Sequence, residues 1–201
     1  MHPIERLRFV ARSGHAPDRF LVAEALPAFS AFSSTPQMLL VAVRQLIGRH
    51  ADSPGLLSLG AHMIDALDPM SAGWAFSEAL SADRTNDIAE TVAVAEAGGT
   101  DVIDSIASGR SSDGVEVLCP VGTRAWMESS RKRGASPVIV TPFGTRLPPM
   151  LWGAFRSAVE EKTATELVML DEFDDVIGCN GVAPVSSWAP DCPDAAELAR
   201  R

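Results

Sequence analysis

The spacing of apolar residues changes once along this chain, near residue 84, and no other feature constrains the fold as strongly. Before that point apolar residues recur at three- and four-residue steps, the stripe of amphipathic helices. Two start signals punctuate them, Thr35-Pro36 and Ser53-Pro54. A Ser or Thr side chain can accept from the free N–H groups of a first helical turn, and Pro is tolerated at the first helical position. Beyond residue 84, short β-branched runs alternate with helical patterns, which argues for strands joined by crossover helices. The chain therefore reads as α/β. An N-terminal helical region, residues 1–84, precedes a shortened Rossmann-like parallel sheet with a C-terminal extension, residues 85–201.

In the first part, Ile4, Leu7, Val10 and Ala11 stripe one helix, with Glu5, Arg6, Arg8 and Arg12 on its other face. Ser13-Gly14-His15 ends it, Gly14 being suited to the position just past a helix. Pro17 opens a second segment, which Pro27 kinks or ends. Met38 to Ile47 is nearly all apolar and is expected at the centre of the bundle. Leu56 to Leu67 and about Ser71 to Leu80 supply two more helices, separated by the break at Asp68-Pro69. In the second part, strands are expected at Thr91–Ala95, Val115–Leu118, Pro137–Thr141 and Glu166–Leu170. Val102, Ile103, Ile106 and Ala107 have helical spacing, and helices are expected up to Gly134 and over Leu151–Glu161. Pro142 to Pro149 reads as loop, and Asp171 to Arg201 as mostly loop with an acidic tip.

Length and charge limit the function classes. The 201 residues, 46% hydrophobic, suit one medium domain or two small ones packed together. The net charge of −9 speaks against a binder of nucleic acid or of a membrane surface, since such sites must neutralise phosphates. No apolar run is long enough to span a bilayer, and the first residues lack an apolar signal core, so a cytoplasmic protein is expected. Residues 1–69 balance six basic against six acidic side chains, while residues 70–201 carry the whole net charge. Cys119, Cys179 and Cys192 are too few and too scattered for a disulfide scaffold or a zinc site. His2, His15, His50 and His62 all lie in the first third and read as surface or helix-end residues. Neither a metal nor a cofactor is expected.

Three turns carry candidate chemistry. Gly98-Gly99-Thr100-Asp101 would lie between a strand and a helix, but lacks the rest of a dinucleotide fingerprint and reads better as a plain turn. Gly122-Thr123-Arg124 follows a strand and opens a helix, so its N–H groups, the Thr123 hydroxyl and the Arg124 guanidinium can converge on one anion. Pro142 to Arg146 follows the clearest strand, and ligands of open α/β sheets bind outside the carboxyl ends of strands. Arg146 is thus a second anion ligand, and Arg124 and Arg146 are expected to share one phosphate or a carboxylate such as Glu172 or Asp174. The acidic groups Glu160-Glu161 and Glu172 with Asp174-Asp175 read as solvated. Ser130-Arg131-Lys132-Arg133 complements a helix C-terminus. Cys119 reads as a small buried hydrophobe.

These residues resemble a known family. Ile4-Glu5-Arg6-Leu7-Arg8-Phe9-Val10-Ala11-Arg12 and Leu170-Asp171-Glu172-Phe173-Asp174-Asp175-Val176-Ile177-Gly178 are similar to its two ends, the latter with Asp191-Cys192-Pro193 and Glu197-Leu198. Pro120-Val121-Gly122-Thr123-Arg124-Ala125, and Val138-Ile139-Val140 with Gly144, Arg146, Leu147 and Pro148, are similar to its late strands and loops. The family is that of translation initiation factor 2B alpha, beta and delta subunits, methylthioribose-1-phosphate isomerase and ribose-1,5-bisphosphate isomerase, and the chain resembles its short actinobacterial members. The resemblance implies N-terminal helices, a Rossmann-like domain and a sugar-phosphate pocket at the strand ends. In the isomerases a cysteine acts with an aspartate of a Gly-Ala-Asp-Arg stretch. The matching stretch here is Ala107-Ser108-Gly109-Arg110, without the aspartate, and Cys119 is not at the cysteine's position. The expected function is therefore a non-catalytic module that senses a sugar phosphate or nucleotide, with self-association as a further expectation. A sugar-phosphate isomerase with an altered site is the alternative.

Overall fold

A computed structural model of the chain describes residues 2–12, 16–95, 99–160 and 164–199. Five helices come first: α1 (Pro3–Val10), α2 (Asp18–Phe29), α3 (Pro36–Arg49), α4 (Pro54–Asp65) and α5 (Pro69–Ala82). Their starts follow the capping chemistry in part. The Ser53 hydroxyl accepts from Leu56 N–H at 3.2 Å, and one Asp68 oxygen accepts from Met70 and Ser71 N–H at 3.1 Å each. Thr35 makes no side-chain cap, so α3 starts on Pro36 alone. Pro27 does not end α2, because it falls in the last turn, where one missing N–H leaves the helix intact. The helix at the centre of the bundle is α4, buried from Pro54 to Ala61 and at Met63. In α3 only Leu39, Ala42, Val43 and Leu46 are buried, while Met38 and Val41 stay half exposed. An apolar composition put α3 at the centre, but its helix has an open face.

The second part contains α6 (Thr85–Ala95), β1 (Thr100–Asp104), β2 (Ala107–Arg110), β3 (Val115–Pro120), α7 (Thr123–Lys132), β4 (Ser136–Val140), β5 (Arg146–Leu147), α8 (Pro149–Glu160), β6 (Thr165–Met169), β7 (Asp175–Gly178), β8 (Gly181–Pro184) and α9 (Ala196–Ala199). Strands β1, β4 and β7 run parallel, in register Val102 to Val138 and Ile139 to Val176, and β8 closes this sheet antiparallel. A second sheet has the order β5-β2-β3-β6, with β3 antiparallel to both neighbours and β5 parallel to β2. The architecture is α/β, with a helical region followed by a short Rossmann-like sheet. Its parallel part is limited to three strands, and the remaining strands pair mostly antiparallel.

Several local expectations change. Thr91 to Ala95 is not a strand but the end of α6. Ile88, Ala89 and Val92 of that helix pack on Val138, Val140 and Ile177, and one packed face outweighs the β preference of the run. The helical spacing from Val102 to Ala107 dissolves into β1 and the start of β2. Asp171 onward is not mostly loop, since β7 extends the parallel sheet and β8 covers its edge. Gly99 leads into β1 rather than out of a strand, while Gly14, Gly98 and Glu161 lie outside the described residues.

One apolar core crosses residue 84. Leu21, Val43, Leu46 and Leu59 of the helices belong to the same cluster as Leu118, Leu147, Trp152, Phe155 and Leu198. A second cluster joins Val117, Cys119 and Val168 of one sheet to Ile139 and Val176 of the other, with Met127 of α7.

Candidate functional site

The turn after β3 is built around an anion. Gly122 takes φ +94°, a left-handed value that favours glycine, and from there the chain enters α7. Gly122 N–H donates to Glu166 Oε2 at 2.9 Å, and Arg124 N–H reaches the same oxygen at 3.5 Å. Arg124 Nη1 lies 3.4 Å from Glu166 Oε1, and Arg124 Nη2 lies 3.4 Å from Glu172 Oε1. Glu166 projects from β6, opposite Cys119 of β3. The expected convergence of Gly122 and Arg124 therefore exists, and the anion it holds is a carboxylate of the chain itself. Thr123 does not join, because its buried hydroxyl donates back to the Pro120 carbonyl at 2.7 Å. Arg124 remains about half exposed, with a side-chain exposure of 51%.

Arg146 belongs to a different arrangement. The loop after β4 ends on it, and the Asp191 carboxylate gathers that loop. Asp191 accepts from Gly144 N–H at 2.9 Å, from Arg146 N–H at 3.3 Å, and from the Arg146 guanidinium. The Asp191 side chain is only 2% exposed. Burial pushes its carboxyl up, against the lowering effect of Arg146 and the two N–H groups. On the other flank Asp83 accepts from Phe143 N–H at 3.0 Å and from the Thr85 hydroxyl at 2.5 Å. Ser58 of α4 donates to Gly144 O at 2.9 Å, and His62 Nε2 donates to Asp191 O at 3.0 Å. The Phe143 ring packs on Phe76 of α5, with centroids 5.4 Å apart, and Phe76 packs on His62 at 5.1 Å. The place where an open α/β sheet receives its ligand is here a clamp between sheet and helices.

The two arginines do not share an anion. The reason is topological: Arg146 opens β5, whereas Glu166, the carboxylate beneath Arg124, lies on β6, and these are the opposite edge strands of the sheet β5-β2-β3-β6. Each guanidinium has its own carboxylate, Glu166 and Glu172 for Arg124, and Asp191 for Arg146. Glu172 is the partner that the sequence offered as a competitor, while Asp174 lies 3.9 Å from Arg131 instead. Sequence reasoning missed Glu166, Asp83 and Asp191 in these roles. Only the pairing register of β6 against β3 puts Glu166 beneath the turn, and no local pattern encodes that register.

The isomerase-like stretch forms β2, with Ala107, Ser108 and Gly109 buried. Ser108 of β2 is fully buried and accepts from Trp188 Nε1 at 2.9 Å. The Arg110 guanidinium lies 5.7 Å from the centroid of the Trp188 ring. Burial pushes the Cys119 and Cys192 thiols up to about 12, the opposite of what a nucleophile needs. His50 caps the end of α3 and His62 lies in the last turn of α4, so the helix-end reading holds for both, but they pack inward rather than at the surface. His50 is 5% exposed and its Nε2 donates to Val10 O at 2.7 Å. Among the described residues, no group of three or more His, Cys, Asp or Glu side chains is placed to hold a metal ion. No described helix is long and apolar enough to cross a membrane.

No protein-family profile and no curated protein matches the sequence. Solved structures do match the fold. The beta subunit of eIF2B from Chaetomium thermophilum aligns with a TM-score of 0.59 at 9% identity, over 91% of this chain and 86% of that one. A chain of the tetrameric eIF2B-beta2-delta2 complex from C. thermophilum aligns with a TM-score of 0.58 at 9% identity, over 92% and 91%. At that identity the likeness is one of fold.

Proposed function

We propose that this chain is a non-catalytic regulatory module on an eIF2B-like fold, and that its Gly122–Arg124 turn senses a small phosphorylated ligand, a sugar phosphate or a nucleotide. The observation that carries the reading is the anion seat itself. Two N–H groups and a half-exposed guanidinium already converge on the Glu166 carboxylate, and two of these three contacts are as long as 3.4–3.5 Å. A phosphate brings more charge and more acceptor oxygens to the same donors, and Glu166 is the anion it must displace. The fold supports a regulatory reading, since the solved structures it matches are subunits of eIF2B. One of them comes from a tetrameric beta2-delta2 complex, and association with a second copy belongs to the same proposal. The buried thiols of Cys119 and Cys192, pushed up by that burial, support a non-catalytic reading.

Thermal shift with ribose 5-phosphate, AMP and inorganic phosphate tests the seat. A ligand at about 100 times its Kd stabilises by about 2.7 kcal/mol. A phosphate ester should raise the Tm of the native protein, raise it further in Glu166→Gln, and leave Arg124→Ala unmoved. No rise with any of the three, in either the native protein or Glu166→Gln, would overturn the reading. Incubation with methylthioribose-1-phosphate or ribose-1,5-bisphosphate should give no turnover, and robust conversion would restore the isomerase alternative.

A further inference from the structure

Among the described residues, helices α1 and α3 leave an apolar face uncovered. Helices α1 and α3 both rest on α2, and His50 joins the end of α3 to the end of α1 through the Val10 carbonyl. Between them runs a groove of about 620 Å³. Its walls are two helical stripes: Ile4, Leu7 and Arg8 on α1, and Met38, Val41 and Arg49 on α3. The α3 stripe is about 16 Å long, at about 1.5 Å per residue. Ile4, Met38 and Val41 are 45%, 50% and 46% exposed, so the groove is open along its length rather than closed over.

Its charge runs against that of the molecule. The chain carries −9, yet no acidic residue lines the groove. Arg8 and Arg49 stand at the end where the two helices meet. Arg8 is bonded to Glu5 at 2.6 Å on the exposed side, and Arg49 has no ion pair among the described residues.

We propose that this groove docks an acidic amphipathic helix of a partner protein. Its apolar face would cover Ile4, Leu7, Met38 and Val41, and its carboxylates would meet Arg49 and Arg8. Two ridged helical walls flanking an open groove are the setting in which another helix packs, at axial separations of about 8–10 Å. Recognition then follows the helix-in-groove mode, with anchors at i, i+3, i+4 and i+7. An acyl chain fits less well, because the open side would leave its length in water.

Fluorescence anisotropy with two labelled synthetic helices of about 18 residues tests this. Both carry leucines at the anchor spacing. One bears glutamates on its flanks and the other lysines. The full chain should bind the glutamate helix at least about tenfold more tightly than the lysine helix, a difference of about 1.4 kcal/mol. Val41→Glu should abolish binding, and Arg49→Glu should erase the preference for acid. Both positions lie at the surface of the groove, and melting curves of the variants confirm that they fold. Failure of the glutamate helix to bind, equal binding of the two helices, or full binding by Val41→Glu would each overturn the proposal. So would displacement of a bound fatty acid as the sole event at the groove.

Discussion

Gly109 has no side chain because Trp152 occupies the place where one would stand. A Cβ there would lie 2.3 Å from Trp152 Cγ. The indole cannot step aside freely, since its Nε1 donates to Glu116 Oε2 at 2.7 Å, and Arg156 Nη1 donates to the same oxygen at 2.8 Å. Gly109→Ala should therefore destabilise by about 1–3 kcal/mol, the range for overpacking a core, read as a lower urea midpoint. An unchanged midpoint would show that the indole moves without cost. Glu116 adds a pH signature. Burial pushes its carboxyl up, but the bonds from Trp152 and Arg156 and the Arg156 charge outweigh it and hold the carboxyl below its ordinary 4.5. A lowered folded-state value means stability that is present above the unfolded value and lost as pH falls through the folded one. Asp18 and Asp191, whose carboxyls burial pushes up, act in the opposite sense, so the difference between two proteins isolates Glu116. On acidification below the ordinary glutamate range the native protein should lose more stability than Glu116→Gln, and parallel curves would refute the assignment. The thiols give a third residue-scale test. Native alkylation followed by mass spectrometry should label partly buried Cys179 well before the buried Cys119 and Cys192. The character of Cys119 was legible from sequence because a small apolar residue between strand residues needs no partner. The roles of Glu166 and Asp191 were not, because their partners lie 42–47 residues away.

At the scale of elements, the two valines of α3 separate composition from placement. Val41 and Val43 have the same chemistry, yet Val43 is 1% exposed and Val41 is 46% exposed. Val43→Asp buries an unpaired carboxylate, a cost of several kcal/mol that is comparable to the whole stability of a domain. Val41→Asp should stay within about 0.5 kcal/mol. Chemical denaturation of both variants checks this, and similar losses would mean that the groove face is packed. The same distinction explains which elements could be read in advance. Helix starts at Pro36 and Pro54, the strand β4 and the helix α7 have strong local signals, and they stand within a few residues of the expected places. The α6 segment was misread because Thr91, Val92 and Val94 are β-branched, whereas its fate is set by packing of Ile88, Ala89 and Val92 on a sheet built from later sequence. β7 and β8 were unreadable for a related reason. Four-residue strands have too short a pattern to show a period, and they exist because β4 offers an open edge.

At the scale of the whole molecule, the division near residue 84 was visible because apolar spacing reports local geometry. What spacing does not report is which surfaces meet. The structure joins the two parts through one core, through the Ser58 and His62 bonds to the β4 loop and its Asp191 clamp, and through Arg44 of α3, whose Nε donates to Glu197 O at 2.9 Å. Neither part buries its apolar face alone: Leu59 and Val43 need Leu198 and Phe155, and Trp152 and Leu147 need the helices. Unfolding should then be a single cooperative transition. The chain carries its own reporters for the test. Far-UV circular dichroism is dominated by helices α1 to α5, while Trp126, Trp152 and Trp188, three of the four tryptophans, belong to the sheet part. Thermal or urea curves followed by the two signals should superimpose. Loss of tryptophan fluorescence at one midpoint and of helix signal at another would mean that the helical region holds together without the sheet. In that case the clamp at Asp191 would be a contact between two separately stable bodies. Coincident curves that both shift down in Asp191→Ala would place the clamp inside the cooperative unit, where loss of one carboxylate loosens helices and strands together.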